Sequence, residues 1–454
     1  MKLKIPSSYV LLFYIIIVLG LATYIVPAGS FDREIDTKTG INYVIPNSYQ
    51  EIEKTPVSVF QLFKAIPQGM MEASDIIIFV LLTGGSFGII QATGTINAII
   101  GSLVRKYIGK EKMLIPILMI IFSLAGAVFG TAEEALPLYP MVIALATALG
   151  FDRITGVAII LLGTGAGFVA GFLNPFTTGI AQSISELPIF SGIFMRIICY
   201  LVFLSTSIIY VYRHANNNCD KLQLNGNIKN FNIHKVPTLS SEHKKVMVVT
   251  IISFIFLIIG IANYEFYILE ISTTFLIMGI ACGIVGGLNP GRISSEFVKG
   301  ASSLTYGALI IGIAKAVSVI MIYGNIMDTI IYNLLKPIEG FAPTISATGM
   351  FIVQSIINIF ISSGSGQAAA TMPIMKTLAD MSGITRQTAV LAFQFGDGFS
   401  NIISPTSGYF VAALAIGRIE WKEWTKWVLP LFIIWCILGW ILIVISYFIN
   451  YGPF

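Results

Sequence analysis

From Trp427 to Phe448 the chain runs without a charged side chain, and Tyr9–Pro27 and Val246–Ile261 do the same. Runs near or above about 18 apolar residues read as helices that cross a bilayer. Of the 454 residues, 56% are hydrophobic and 11% charged, against roughly 25% charged in soluble domains. A soluble chain of this composition could not cover its own surface, so the expectation is an all-α polytopic membrane protein.

The N-terminus resembles a signal peptide only in part. Lys2 and Lys4 are basic and Val26-Pro27-Ala28 is a passable cleavage context, yet the apolar stretch between them is too long for an h-region. It reads as an uncleaved first span. Cys199, Cys219, Cys282 and Cys436 have no paired spacing, and His214, His234 and His243 fall in one polar stretch. Neither set makes a metal or redox motif. The net charge of +4 sits in short loops and does not indicate nucleic-acid binding.

Those loop charges set the topology. Basic clusters at Lys2/Lys4, Arg105–Lys112, Arg213–Lys245 and Arg418–Lys426 mark the cytoplasm, while the mixed loop Ser30–Asp75 belongs outside. The pattern predicts spans at 8–27, 76–104, 154–186 and 189–212, a cytoplasmic loop at 213–245, and a linking span at 246–263. Further spans follow at 268–288, 301–335, 387–416 and 427–449, and re-entrant hairpins at 113–150 and 344–383. Eleven or twelve straight spans would put Arg386 and Arg418–Lys426 on awkward sides.

The chain also repeats itself. At a constant offset of 233 residues Pro140 meets Pro373, Gly150 meets Gly383, Arg153 meets Arg386, Thr155 meets Thr388, and Gly163-Thr164-Gly165 meets Gly396-Asp397-Gly398. Asn174-Pro175 then corresponds to Ser404-Pro405, and Gly94-Thr95-Ile96 echoes Gly324-Asn325-Ile326. By loop charge the two copies, 1–212 and 264–454, enter the membrane from opposite sides. Two inverted-topology repeats suit a secondary transporter whose site lies where discontinuous helices meet, and paired helix breaks favour alternating access over a continuous channel.

Four segments are too polar to face lipid: the hairpin tips Gly130–Glu134 and Ser362–Gln367, and the breaks at Asn174-Pro175 and Ser404-Pro405. Each break bares backbone N–H groups that suit an anion and carbonyls that suit a cation. The candidate substrate-binding residues are Thr131, Glu133 and Glu134 at the first tip and Asn174, Thr177 and Thr178 at the first break. Ser363, Gly364, Ser365 and Gln367 at the second tip join Asp397, Asn401, Ser404, Thr406 and Ser407 around the second break, with Lys315 in mid-span. Simpler readings exist for some of them. Thr131-x-x-Glu134 is also a capping box, the second tip's glycines also allow close helix packing, and Lys315 also serves as partner to one acid.

Gln394, Asp397, Asn401 and Ser404 share a helix face, and Asp397 lies roughly 15 Å along its span. Each charge at that depth costs about 2.5–3.5 kcal/mol unless paired, protonated or met by a ligand. The excess of acid over base predicts a substrate with a cationic group, or a coupled H⁺ or Na⁺, with Na⁺ a candidate at the Asn174 and Ser404 breaks.

Val-Pro-Ala-Gly-Ser-Phe at 26–31, Ala-Ile-Pro-Gln-Gly-Met at 65–70 and Ala-Glu-Glu-Ala-Leu-Pro-Leu-Tyr-Pro at 132–140 resemble the YfcC family. So do Gly-Ile-Ala-Lys-Ala at 312–316, Ser-Ser-Gly-Ser-Gly-Gln-Ala-Ala-Ala at 362–370 and Gly-Asp-Gly-Phe-Ser-Asn at 396–401. That family is grouped with the DcuC-like C4-dicarboxylate carriers of the ion transporter superfamily. The resemblance implies an elevator-type homodimer in the bacterial inner membrane that transports or exchanges amino acids, basic ones such as arginine or ornithine among them. The superfamily's dicarboxylate carriers make a C4-dicarboxylate carrier the runner-up, against which the acids named above argue. Relatives often carry Arg where this chain has Lys315. A membrane-embedded enzyme finds no support, because no Ser–His pair or His/Cys cluster falls within the membrane.

Overall fold

The computed structural model describes residues 8–35, 42–106, 110–130, 132–224, 239–264, 266, 268–338 and 340–452. Helix α1 (Ser8–Ile25) leads into four short strands, β1 (Gly29–Ser30), β2 (Arg33–Ile35), β3 (Asn42–Val44) and β4 (Gln50–Glu51). They pair antiparallel as β1–β4 and β2–β3. These short strands are an addition to an otherwise helical chain, and their pairing satisfies backbone groups of the segment between α1 and α2.

Helices α2 (Val59–Glu72), α3 (Ser74–Ala92) and α4 (Thr95–Lys106) follow. Next come α5 (Leu114–Phe129), a 3₁₀ turn over Glu133–Leu138 and α6 (Tyr139–Ala148), which together form the expected first hairpin. Helix α7 (Arg153–Ala170), a wide turn over Pro175–Gly179 and α8 (Ile180–Ile184) make a broken span, and α9 (Ile193–Leu224) and α10 (Ser241–Tyr264) complete the first part. The second part holds α11 (Ile268–Val285), α12 (Pro290–Tyr323) and α13 (Met327–Leu335). The second hairpin is α14 (Pro343–Phe360) with α15 (Gly364–Met381), and α16 (Arg386–Ser400), α17 (Gly408–Gly417) and α18 (Trp421–Phe448) close the chain.

Among the described residues eight helices are long and apolar enough to cross a membrane. The protein is therefore a multi-pass membrane protein. Three sequence expectations are corrected. The spans at 76–104 and 301–335 are each bent: Gly94 stands at φ +80° between α3 and α4, and Asn325 at φ +50° between α12 and α13. The cytoplasmic loop at 213–245 is helical at both ends, because α9 continues to Leu224 and α10 starts at Ser241. His214 thus sits on a helix, and His234 lies outside the described residues.

One face of the molecule packs α12 against α2 and α3, with α11 beside α3. The other gathers the two hairpins and broken spans, with α5 on α7 and α14 on α16. Between these two pairs α7 and α16 cross. A Cβ on Gly165 would lie 3.3 Å from Ile402 Cγ2, and one on Gly398 would lie 2.6 Å from Val169 Cγ2. Helix α6 of the first hairpin packs on α17, and α15 of the second packs on α8. On one side of the bundle Arg386 holds Asp380 and Glu186, joined by Lys376. On the other, Trp427 donates to His214, which meets Asp152 at the start of α7.

Candidate functional site

Two local devices build the site. Helix α7 stops because Gly171 takes a left-handed conformation at φ +50° and Pro175 cannot donate an N–H. Asn174 then caps the next turn, its Oδ1 accepting from Phe176 N at 2.9 Å and Thr177 N at 3.2 Å. The second hairpin turns at Ser363, which caps α15 by accepting from Gly366 N at 3.3 Å. Helix α16 stops before Pro405, and Ser404 Oγ and Thr406 Oγ1 bond at 2.7 Å while Thr406 donates to Ile359 O.

These devices converge on Asp397, which is fully buried. Its Oδ1 accepts from Asn401 Nδ2 at 3.1 Å, and its Oδ2 has no hydrogen-bond partner. Asn358 on α14 braces the same turn, donating to Asp397 O, Ser400 Oγ and Asn401 Oδ1 at 2.7–3.0 Å. Gly364 closes the space above. A Cβ there would lie 2.5 Å from Thr177 Cγ2 and 2.8 Å from Asp397 Oδ2. Asn174 reaches the other hairpin tip, where a Cβ on Gly130 would lie 2.6 Å from its Oδ1. Glu133 opens the 3₁₀ turn at the first hairpin's tip, three residues past the Gly130 that Asn174 meets.

Six buried polar atoms of this region make no hydrogen bond: Asn174 Nδ2, Thr177 Oγ1, Asn358 Oδ1, Gln367 Oε1, Asp397 Oδ2 and Ser407 Oγ. At about 1–3 kcal/mol each, they would together cost on the order of 10 kcal/mol if never satisfied. That rivals the whole stability of an ordinary fold, roughly 5–15 kcal/mol. Water or a bound group would satisfy such atoms. Two of the amide oxygens are held free by their own nitrogens: Asn358 Nδ2 is committed as above, and Gln367 Nε2 donates to Gln354 O and Oε1. Three of the six, Asp397 Oδ2, Asn358 Oδ1 and Gln367 Oε1, only accept, the two hydroxyls donate or accept, and Asn174 Nδ2 donates.

Of the residues expected from the sequence, Thr177, Gly364, Asp397 and Asn401 meet here. Asn174 caps the same break, Gln367 is tied to Gln354 of α14, and Ser407 is buried one turn past Ser404, its N donating to Ser404 O at 3.2 Å. Thr178 points the other way, donating to Gln394 Oε1 at 3.1 Å. Ser363 and Ser365 are exposed at the tip, bonded to each other at 3.4 Å. Thr131 and the side chain of Glu134 lie outside the described residues, and with them the proposed capping box. Lys315 is not paired with any of the expected acids. It faces Glu72 of α2 at 4.0 Å, each side chain about one-third exposed. On the same face of α12, Ile311 lies against Gly408 of α17 and Ser318 donates to Phe360 O at the end of α14.

Sequence reasoning overlooked Asn358, Gln354 and Arg196. Asn358 and Gln354 stand four apart on α14, a spacing that puts both on one helix face and was the available signal. Arg196 is fully buried at the start of α9, where a lone basic residue near a span end reads as an interfacial anchor.

Comparison with known proteins gives concordant matches. The family model for the C4-dicarboxylate anaerobic carriers, DcuC, matches residues 5–448. The chain is 32% identical to the Escherichia coli protein named "Putative basic amino acid antiporter YfcC", over 93% of this chain and 92% of that one. It is 27% identical to an uncharacterized Haemophilus influenzae protein, covering 97% and 96%. Among solved structures it is similar to Neisseria gonorrhoeae MtrF, with 18% identity, a TM-score of 0.46 and coverage of 98% and 96%.

Proposed function

The chain belongs to the C4-dicarboxylate anaerobic carrier family and is a membrane transporter, and from that premise we propose that its cargo is an amino acid with a cationic side chain. The carrying observation is the chemistry of the unsatisfied atoms. Asp397 Oδ2, Asn358 Oδ1 and Gln367 Oε1 are acceptors, and Glu133 adds a second acid at the first hairpin's tip. Such a set suits ammonium or guanidinium donors, or Na⁺ as a coupling ion, and would repel the second carboxylate of a dicarboxylate. The name of the E. coli relative agrees with this reading.

The mechanism we infer is alternating access of elevator type by two inverted-topology repeats, in a homodimer in the bacterial inner membrane. Support for the inversion comes from the α7–α16 crossing. At the 233-residue offset Gly165 corresponds to Gly398 and Val169 to Ile402, so the two contacts are each other's images. The pairing runs antiparallel, as expected for equivalent helices of opposite direction. Exchange of α6 onto α17 and α15 onto α8 is the same relation seen at the hairpins. Both hairpins belong to one packed unit with α7 and α16, which is the body an elevator would carry past α2, α3 and α12.

Counterflow in proteoliposomes tests the cargo. Vesicles loaded with arginine should take up labelled ornithine or lysine against no net gradient. Exchange of succinate or malate in its place would establish the dicarboxylate reading, which the family description favours.

A further inference from the structure

We propose that Arg196 is a carboxylate-binding residue, taking an organic acid group on the Nε–Nη2 edge of its guanidinium. The proposal rests on the transport reading for its ligand. Its evidence is separate from the Asp397 region.

Arg196 is fully buried, and among the described residues no acidic side chain lies within ion-pair distance of it. Only Nη1 is engaged, donating at 3.3 Å to Ala170 O and at 3.5 Å to Thr178 Oγ1. Nε and Nη2 make no hydrogen bond. Those two atoms share one edge of the planar group, and their parallel N–H bonds form the fork that matches the two oxygens of a carboxylate. The same protein shows the fork in use: Arg386 holds Asp380 with Nε at 3.0 Å and Nη2 at 2.8 Å.

The bland alternative is that Arg196 merely caps the C-terminal end of α7, whose carbonyls favour a cation. The second half of the chain argues otherwise. Ala170 corresponds at the 233-residue offset to Ile403, and Ile403 O is capped at 2.9 Å by the indole N–H of Trp421. Trp424 likewise caps Ile402 O at 2.9 Å. A neutral donor therefore suffices for that carbonyl. A guanidinium at the equivalent place brings a full charge and two further donors that capping does not use. An unpaired charge taken out of water is unfavourable until an anion meets it. Tyr451 lies against the group: its hydroxyl donates to Gly192 O at 2.6 Å and keeps a lone pair for one guanidinium N–H, which leaves the remaining donor of the edge without a partner.

Position fits a ligand with separated charges. Thr178 bridges Arg196 to Gln394, one helical turn from Asp397, while its neighbour Thr177 meets Gly364 beside Asp397. The pair Thr177-Thr178 is flanked by a cation on one side and a carboxylate on the other.

The test uses purified full-length protein in detergent and two matched ligand pairs, L-arginine with L-argininamide and succinate with succinamide, read by thermal stabilisation. Wild type should prefer the acid of at least one pair by about tenfold in apparent affinity, the size of one charge-assisted bonding pair. Arg196→Lys retains the charge and the cap but lacks the fork, and should reduce the preference to about threefold or less. Arg196→Gln should abolish the preference by weakening acid binding more than amide binding, and residual stabilisation by the amides shows that the site is folded. Preference for succinate alone would uphold Arg196 and refute the basic-amino-acid reading. Wild type without acid preference in either pair, or a preference that survives in Arg196→Gln, overturns the proposal. Stabilisation by chloride over sulfate without any acid preference also overturns it, assigning the fork to a halide.

Discussion

Asp397 gives one carboxylate oxygen to the amide of Asn401 at 3.1 Å and turns the other, unpartnered, toward Gly364. The two oxygens have different tasks, one holding the side chain and one offered outward. Asp397→Asn keeps the volume and one contact but removes the charge. Losing a charge-assisted bond costs about 1.5–3 kcal/mol, or roughly 10- to 150-fold in affinity. Arginine counterflow should fall by at least that factor while membrane insertion is unaffected. Normal exchange by this variant would make the carboxylate structural.

Gly364 is the lid of that space. Its missing side chain leaves room that a Cβ would take at 2.5 Å from Thr177 and 2.8 Å from Asp397 Oδ2. Gly364→Ala must push the hairpin tip away or bury the carboxylate oxygen, at about 1–3 kcal/mol of overpacking. Transport should drop about tenfold or more, with the larger effect in Gly364→Val. Counterflow rates of the two variants, set against their expression levels, give the measurement.

Asp152 caps α7 by accepting from Thr155 N at 2.8 Å and pairs with His214. Burial alone would raise its carboxyl, yet the hydrogen bonds from His214 and Thr155 outweigh it and hold the group below its ordinary 3.8. A carboxyl lowered by folding stabilises above its unfolded value and loses that contribution as pH falls through the folded value. Asp152→Ala should therefore cost about 1 kcal/mol near neutrality as a lost cap. The difference from wild type should shrink only below about pH 3.8. Thermal unfolding in detergent across that range would reveal a pH-independent difference if the assignment is wrong.

Lys315 and Glu72 link α12 to α2 at 4.0 Å, each partly in solvent. A pair of this exposure couples by at most about 1 kcal/mol. Reversing both charges in one protein should recover most of what each reversal loses alone. A double-mutant cycle on arginine counterflow measures the coupling, and strict additivity would remove the pair from the mechanism.

Much of this architecture was legible in the residues. Hairpins and breaks announce themselves because proline, glycine and polar side chains inside an apolar run have few stable placements, as at Asn174-Pro175 and Ser363–Gln367. The bends at Gly94 and Asn325 were equally visible, but as marks of repetition; only the coordinates show that the recurring glycine segment ends a helix. Asn358 and Arg196 were hidden for another reason. Each is a single polar residue in an apolar helix, and its meaning depends on which neighbour, some 39 to 43 residues away for Asn358 and 18 to 26 for Arg196, it faces. Lys315 shows the converse, since mid-span position identified a costly charge and could not identify Glu72 as its partner.

Each half holds its own hairpin, through α5 and α6 on α7 and through α14 and α15 on α16, and the other half supplies a further wall, α17 against α6 and α8 against α15. Two separately made halves would each lack that wall, and assembly would supply both at once. The binding region is in that sense the seam of the molecule, and whatever loosens one flank of it is felt at once on the other.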